Sequence, residues 1–175
     1  MGQGGRLTWR WMALCLPAVL AACITVPQYD DQTDKLITQV QTDADTKIIS
    51  LIALDDEIQD LSKQTDAASQ KDLSDAKTKA SYRSASAFYQ KIDVDLITLK
   101  TRIDAEPTAA TPHLDSAWQQ LHDNLLAPAD SMKAIHKRDD IIPASELRTM
   151  QQLVDAQAGA LLTRELSLKN AKPAQ

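Results

Sequence analysis

Two cysteines, three histidines and 24 acidic side chains give this 175-residue chain its means of doing chemistry. Cys23 has the most informative setting. It follows Leu20, Ala21 and Ala22 at the end of an apolar run that starts at Trp11, and ahead of that run stand Arg6 and Arg10 with no acid. A thiol is nucleophilic as its thiolate. A basic stretch, a short apolar stretch and small residues before a cut form the pattern of a cleaved secretory leader. Cys15 lies inside that leader and leaves with it. A membrane-spanning helix needs about 17–25 apolar residues, whereas the run to Val26 is shorter and carries Pro17 near its middle. A conventional secretory cut wants a small residue where Leu20 stands. N-terminal myristoylation wants Ser or Thr where Arg6 stands.

The four residues Leu20-Ala21-Ala22-Cys23 resemble the lipobox of bacterial lipoproteins at every position. The resemblance implies a diacylglyceryl group on the Cys23 thiol, cleavage just before it with Leu20, Ala21 and Ala22 as the signal peptidase recognition residues, and usually an acyl group (palmitate or similar) on the new amine. Two or three chains hold a protein firmly, since each buried CH₂ contributes about 0.8 kcal/mol. Residue 24 is Ile rather than the Asp of an enterobacterial inner-membrane retention signal. By that analogy the destination is the inner leaflet of the outer membrane, facing the periplasm, with the periplasmic side of the inner membrane as the alternative. The stretch from Val26 to Asp34 is similar to the starts of uncharacterised proteobacterial lipoproteins, which carry no activity to borrow. The expected organisation is a signal peptide over 1–22, a lipidated tether over 23–29 and a helical domain over 30–175.

The other reactive groups fit no catalytic pattern. His113, His122 and His136 are spaced by nine and fourteen residues, so no two share a helix face at i, i+3 or i+4. Neither Glu-x-x-His nor His-Glu-x-x-His occurs. Each histidine reads as a surface or boundary residue. Asp55-Asp56-Glu57 with Asp60, and Asp139-Asp140, read as solvated faces, and Asp43-x-Asp45 lacks the glycine bend of a calcium loop. Ser81-Tyr-Arg-Ser84 and Ser62-Lys63 match no nucleophile motif. The expectation is no metal, no cofactor and no catalytic residue. Tyr82, Phe88 and Tyr89, with Trp118, read as core rather than as cavity lining.

The elements that position these residues are helical. Cleavage removes three of the four glycines, leaving Gly159, while tight hairpins and phosphate cradles lean on glycine. It also removes two arginines and no acid, making the mature chain more acidic than the net −5 of the whole. That balance argues against nucleic acid and against a polybasic grip on lipid. A first helix over about 31–64 carries Ile37, Val40, Ala44, Leu51, Leu54, Ile58 and Leu61 at 3-4 spacing. Lys47 interrupts it, and Ile48 fills the stripe beside the interruption. The stripe Tyr82, Ala85, Tyr89, Ile92, Leu96, Leu99 and Ile103 runs in a frame slipped by one. This predicts a turn near 66–72, with Ser69, Asp72 or Ser74 as N-cap, and a second helix to about Ala105.

A third helix is expected from Pro112, with Leu114, Trp118, Leu121, Leu125, Met132 and Ile135 in one frame and Pro128 at a core position of it. A proline there kinks or splits a helix. Trp118, Leu125 and Pro128 therefore become a candidate ligand or partner groove, the plain alternative being a break between two short helices. A fourth helix opens at 140–143 and buries Leu147, Met150, Val154, Leu161 and Leu168, with Leu162 and Leu166 widening that face. The fold expected is all-α, an antiparallel up-down four-helix bundle of long amphipathic helices related to coiled coils. A three-helix bundle or a dimer of helical hairpins is the alternative. The function expected is that of a lipid-anchored, non-enzymatic envelope component binding a protein partner. The alternative is a bundle that holds a small hydrophobic ligand or lipid.

Overall fold

The computed structural model describes residues 31–105 and 111–170. Their regular structure is all α-helical, with no strand among them. They form α1 (Asp31–Leu61), α2 (Ala67–Ala80), α3 (Tyr82–Ala105), α4 (Thr111–Leu125), α5 (Met132–Asp139) and α6 (Ala144–Asn170). Six segments replace the four expected, because two of the expected helices are divided.

α1 begins with Asp31 and Asp34 in its first turn, where the helix dipole favours negative charge. Its buried face is Ile37, Val40, Ala44, Ile48, Leu51 and Ile58, with Thr33 and Asp55. Ile48 replaces Lys47 in the stripe as expected. Near the end, Asp55 takes a buried position, while Leu54 and Leu61 are half-buried.

The turn after α1 comes earlier than expected. Asp66 is the N-cap of α2, and its carboxylate accepts from the Ser69 backbone N–H at 2.9 Å. None of the three expected caps serves. α2 then breaks from α3 at Ser81, where neither proline nor glycine stands. Ser81 is extended, and its hydroxyl donates to the Thr78 carbonyl at 2.7 Å and accepts from the Ser84 N–H at 3.4 Å. One side chain thus closes one helix and opens the next.

The expected third helix stops at Leu125. Pro128 lies outside any helix and is exposed, not in the core. Its carbonyl accepts from the Ser131 N–H at 3.0 Å, and Ser131 caps α5 by accepting from the Ala134 N–H at 3.2 Å. The apolar frame survives because α5 resumes it: Leu114, Trp118, Leu121, Leu125, Met132 and Ile135 are all buried. α5 ends at Asp140, whose φ of 63° is the one left-handed backbone among the described non-glycine residues.

α1 packs along α6, α3 and α2, and α4 packs along α6 and α3. Each long pairing is antiparallel. On α1 and α6, Gln41 donates to Asp155 at 2.8 Å while Asp55 meets Ala144. On α3 and α4, Lys100 lies 3.3 Å from Asp115, and the Trp118 indole donates to the Leu96 carbonyl at 2.8 Å. The core runs through all of these except α2, which covers a small apolar group of its own around Ile58, Ala76 and Ala80. On α6, Leu147, Met150, Val154 and Leu161 are buried. Leu162 is half-buried, Leu166 is exposed instead of widening the face, and Leu168 lies outside the described side chains.

Candidate functional site

The densest buried polar cluster sits where α2, α3 and α5 meet. Ending α2 at Ala80 leaves that residue's carbonyl without a helical donor, and a buried carbonyl needs one. His136 of α5 supplies it, with Nε2 at 2.8 Å from the Ala80 oxygen. A carbonyl only accepts, so Nε2 carries the proton. In the neutral ring Nδ1 is then an acceptor, and the Tyr89 hydroxyl donates to it at 2.9 Å. His136 is fully buried, contrary to the surface or boundary reading.

The surroundings reinforce this protonation state. Burial pushes His136 below the usual imidazole range and Lys47 adds to that, while the Ala80 bond and Asp140 oppose it. Burial likewise pushes the Tyr89 phenol upward. The Tyr82 ring stacks on Tyr89 at 5.7 Å and meets His136 edge-on at 5.8 Å. Asp140 closes the corner by accepting from the Tyr82 N–H through its carboxylate at 3.0 Å. That carboxylate therefore holds the position at the start of α3 that favours an anion. Both imidazole nitrogens are engaged, so the arrangement fastens three helices together and leaves the ring no free lone pair for proton transfer.

Two further buried polar contacts join helices. Asp55 accepts from the Ala144 N–H at 2.8 Å and from the Gln59 amide at 2.9 Å. The carboxylate that reads as solvated in sequence instead caps α6, 89 residues on in a chain that folds back on itself. Asn124 of α4 donates to Gln157 of α6 at 2.8 Å. On the flank of the α1–α6 pair, Asp45 is pushed above the usual carboxylate range by burial and by Asp155.

The residues predicted as a groove are divided between core and surface. Trp118 and Leu125 are core, and the Trp118 ring stacks on His122 at 5.0 Å. Pro128 stands apart on the surface. A shallow cleft of about 430 Å³ does open beside the α4–α5 corner, but Asp130, Ile135, Met150 and Leu153 line it, not those three. Cys23, Leu20, Ala21 and Ala22 lie outside the described residues, as does the side chain of His113. No described helix is long and apolar enough to cross a membrane. Nothing in the sequence marks the cluster at His136: Ala80, Tyr89 and His136 share no spacing, and neither proline nor glycine signals the break at Ser81.

No protein-family model matches the chain, and neither a curated protein nor a solved structure is detectably similar to it.

Proposed function

We propose that the protein is a lipid-anchored, non-enzymatic envelope component that works by binding another protein through the outer face of α3. The anchor would be Cys23, with the chain held in the inner leaflet of the outer membrane and facing the periplasm. The observation that carries the binding reading is a pair of neighbouring aliphatic side chains, Val94 and Ile97, which are 62% and 57% exposed. They stand one turn apart on α3, with exposed Gln90, Thr98 and Thr101 around them. Scattered surface aliphatics are ordinary, but an aliphatic pair rimmed by polar residues suits a helix or strand from a partner. The antiparallel pairings also support a finer fold. α2 with α3 forms one rod and α4 with α5 another, and with α1 and α6 they make four layers in up-down order.

The tether over 24–29 spans at most about 20 Å. The end of the domain carrying the start of α1 would therefore lie near the bilayer, and the Ser81–Asp140 corner, level with about Asp55 of α1, roughly 35 Å farther out.

Two measurements test this. Cys23→Ser should abolish labelling by radioactive palmitate and release the protein from the membrane pellet; a variant still labelled and sedimenting with membranes would move the anchor elsewhere. A photoreactive side chain in place of Ile97 should crosslink a defined envelope protein. Val94→Lys should suppress that crosslink while changing stability by no more than about 0.5 kcal/mol, as for an exposed position. A crosslink insensitive to Val94→Lys would mean that this face is not the docking surface.

A further inference from the structure

Lys47 is the one interruption of the apolar stripe of α1, and its surroundings explain what such a residue is for. Ile48 takes over the core position, which turns Lys47 to the seam between α1 and α3. A groove of about 430 Å³ runs along that seam, lined by Asp43, Thr46, Lys47 and Ser50 of α1 and by Ala87, Phe88 and Lys91 of α3. Its walls are largely apolar, and the half-buried Phe88 ring is held edge-on against Tyr89 at 5.1 Å.

The two lysines of the groove differ in one respect. Lys91 is neutralised, 2.5 Å from Asp43 and 2.7 Å from Asp95. Lys47 has no carboxylate within ion-pair distance among the described residues, although it is half-buried. Asp43, one turn before it, is committed to Lys91. Desolvation pushes the Lys47 ammonium below its ordinary range, and the nearest acid of the groove, Asp43, is held by Lys91. Leaving a charge partly buried and unpaired is costly, and an incoming anion would remove that cost. A small anion alone would gain little from the apolar walls. A molecule with an anionic head and an alkyl tail satisfies both parts, and the volume of this open groove falls within the usual range of ligand sites, about 300–1,000 Å³.

We propose that the α1–α3 groove binds a straight-chain fatty acid, its carboxylate on the Lys47 ammonium and its alkyl chain against Phe88 and Ala87. The Ser50 and Thr46 hydroxyls stand beside the head group as further donors. This proposal is independent of the anchor at Cys23 and of the docking face at Val94 and Ile97.

The test is a calorimetric titration of the full chain, held in a non-ionic detergent, with dodecanoate, dodecanol and acetate. Dodecanoate should bind, dodecanol at least tenfold more weakly, and acetate not measurably. Lys47→Met keeps the stem and removes the charge. It should weaken dodecanoate at least tenfold, leave dodecanol unchanged and raise the melting temperature, since an unpaired charge has gone. Phe88→Ser should weaken dodecanoate and dodecanol alike, with circular dichroism confirming that both variants are folded. Equal binding of dodecanoate by the wild type and Lys47→Met would overturn the proposal, as would the failure of dodecanoate to bind. A further arm uses phosphatidylglycerol vesicles. If Lys47→Met loses vesicle binding but keeps its dodecanoate affinity, the lysine reads a lipid head group at a surface and the groove is not a fatty-acid site.

Discussion

The chain breaks a helix twice in a similar way, at Ser81 and after Leu125, and the two corners are held by different means. After Leu125 the means are local. Pro128 cannot continue a helix, its carbonyl takes the Ser131 N–H, and Ser131 caps α5 within the next turn. At Ser81 no proline or glycine forces the break. Ser81 serves both helix ends, but the two groups left over, the Ala80 carbonyl and the Tyr82 N–H, are satisfied by His136 and Asp140 from more than fifty residues away. One corner is written in its own sequence; the other exists because a distant segment pays for the broken backbone bonds. The first should survive alteration of its neighbours, and the second should not.

The largest expected effect follows from removing the partner at the tertiary corner. His136→Ala leaves the Ala80 carbonyl and the Tyr89 hydroxyl buried without their bonds and opens a cavity. A loss of about 3–5 kcal/mol in urea unfolding is expected. A loss below about 1 kcal/mol would mean that the Ser81 break is as locally coded as the other, and the comparison would fail.

A smaller effect should appear with pH. The folded pKa of His136 is depressed from its ordinary value of 6.5, so the unfolded chain takes up a proton at a higher pH than the folded chain does. The stabilisation is fully present above about pH 6.5 and is lost as pH falls through the depressed folded value. The exposed carboxylates with lowered pKa, Asp66, Asp123 and Asp139, act in the same direction but below their ordinary value of 3.8, outside this window. Urea midpoints measured between about pH 7.5 and pH 5 should therefore fall in the wild type and stay nearly level in His136→Gln. Parallel curves for the two proteins would assign the acid sensitivity to another group.

The smallest effect is expected at the local corner. Pro128 is exposed and outside the helices, so Pro128→Ala should cost no more than about 1 kcal/mol, mainly through a freer unfolded chain. Circular dichroism would show whether α4 and α5 stay separate. A gain in both helicity and stability would mean that the proline alone was holding them apart.

Periodicity carried most of the architecture. The stripe from Ala85 to Ile103 and the frame from Leu114 to Ile135 are buried as read, because a 3.6-residue repeat leaves an apolar face only one way to turn. The frame even persists across the α4–α5 break, which is why Pro128 looked like a core position. The proline marks the corner, and of the two readings its position allows, a kinked helix or a break between two short helices, the structure has the break. Groups whose role depends on a remote partner read differently in sequence: Asp55 as a solvated carboxylate and His136 as a boundary residue.

The sequence by itself determined that the described chain is helical, which faces are apolar and where two of its turns fall. Those properties rest on residues within a few turns of one another. Only the tertiary structure decided that α2 ends at Ala80, that Asp55 caps α6 and that the acid of the α1–α3 seam, Asp43, pairs with Lys91 and not with Lys47. A buried polar group takes its meaning from the atom that satisfies it, and in this protein that atom belongs to another helix.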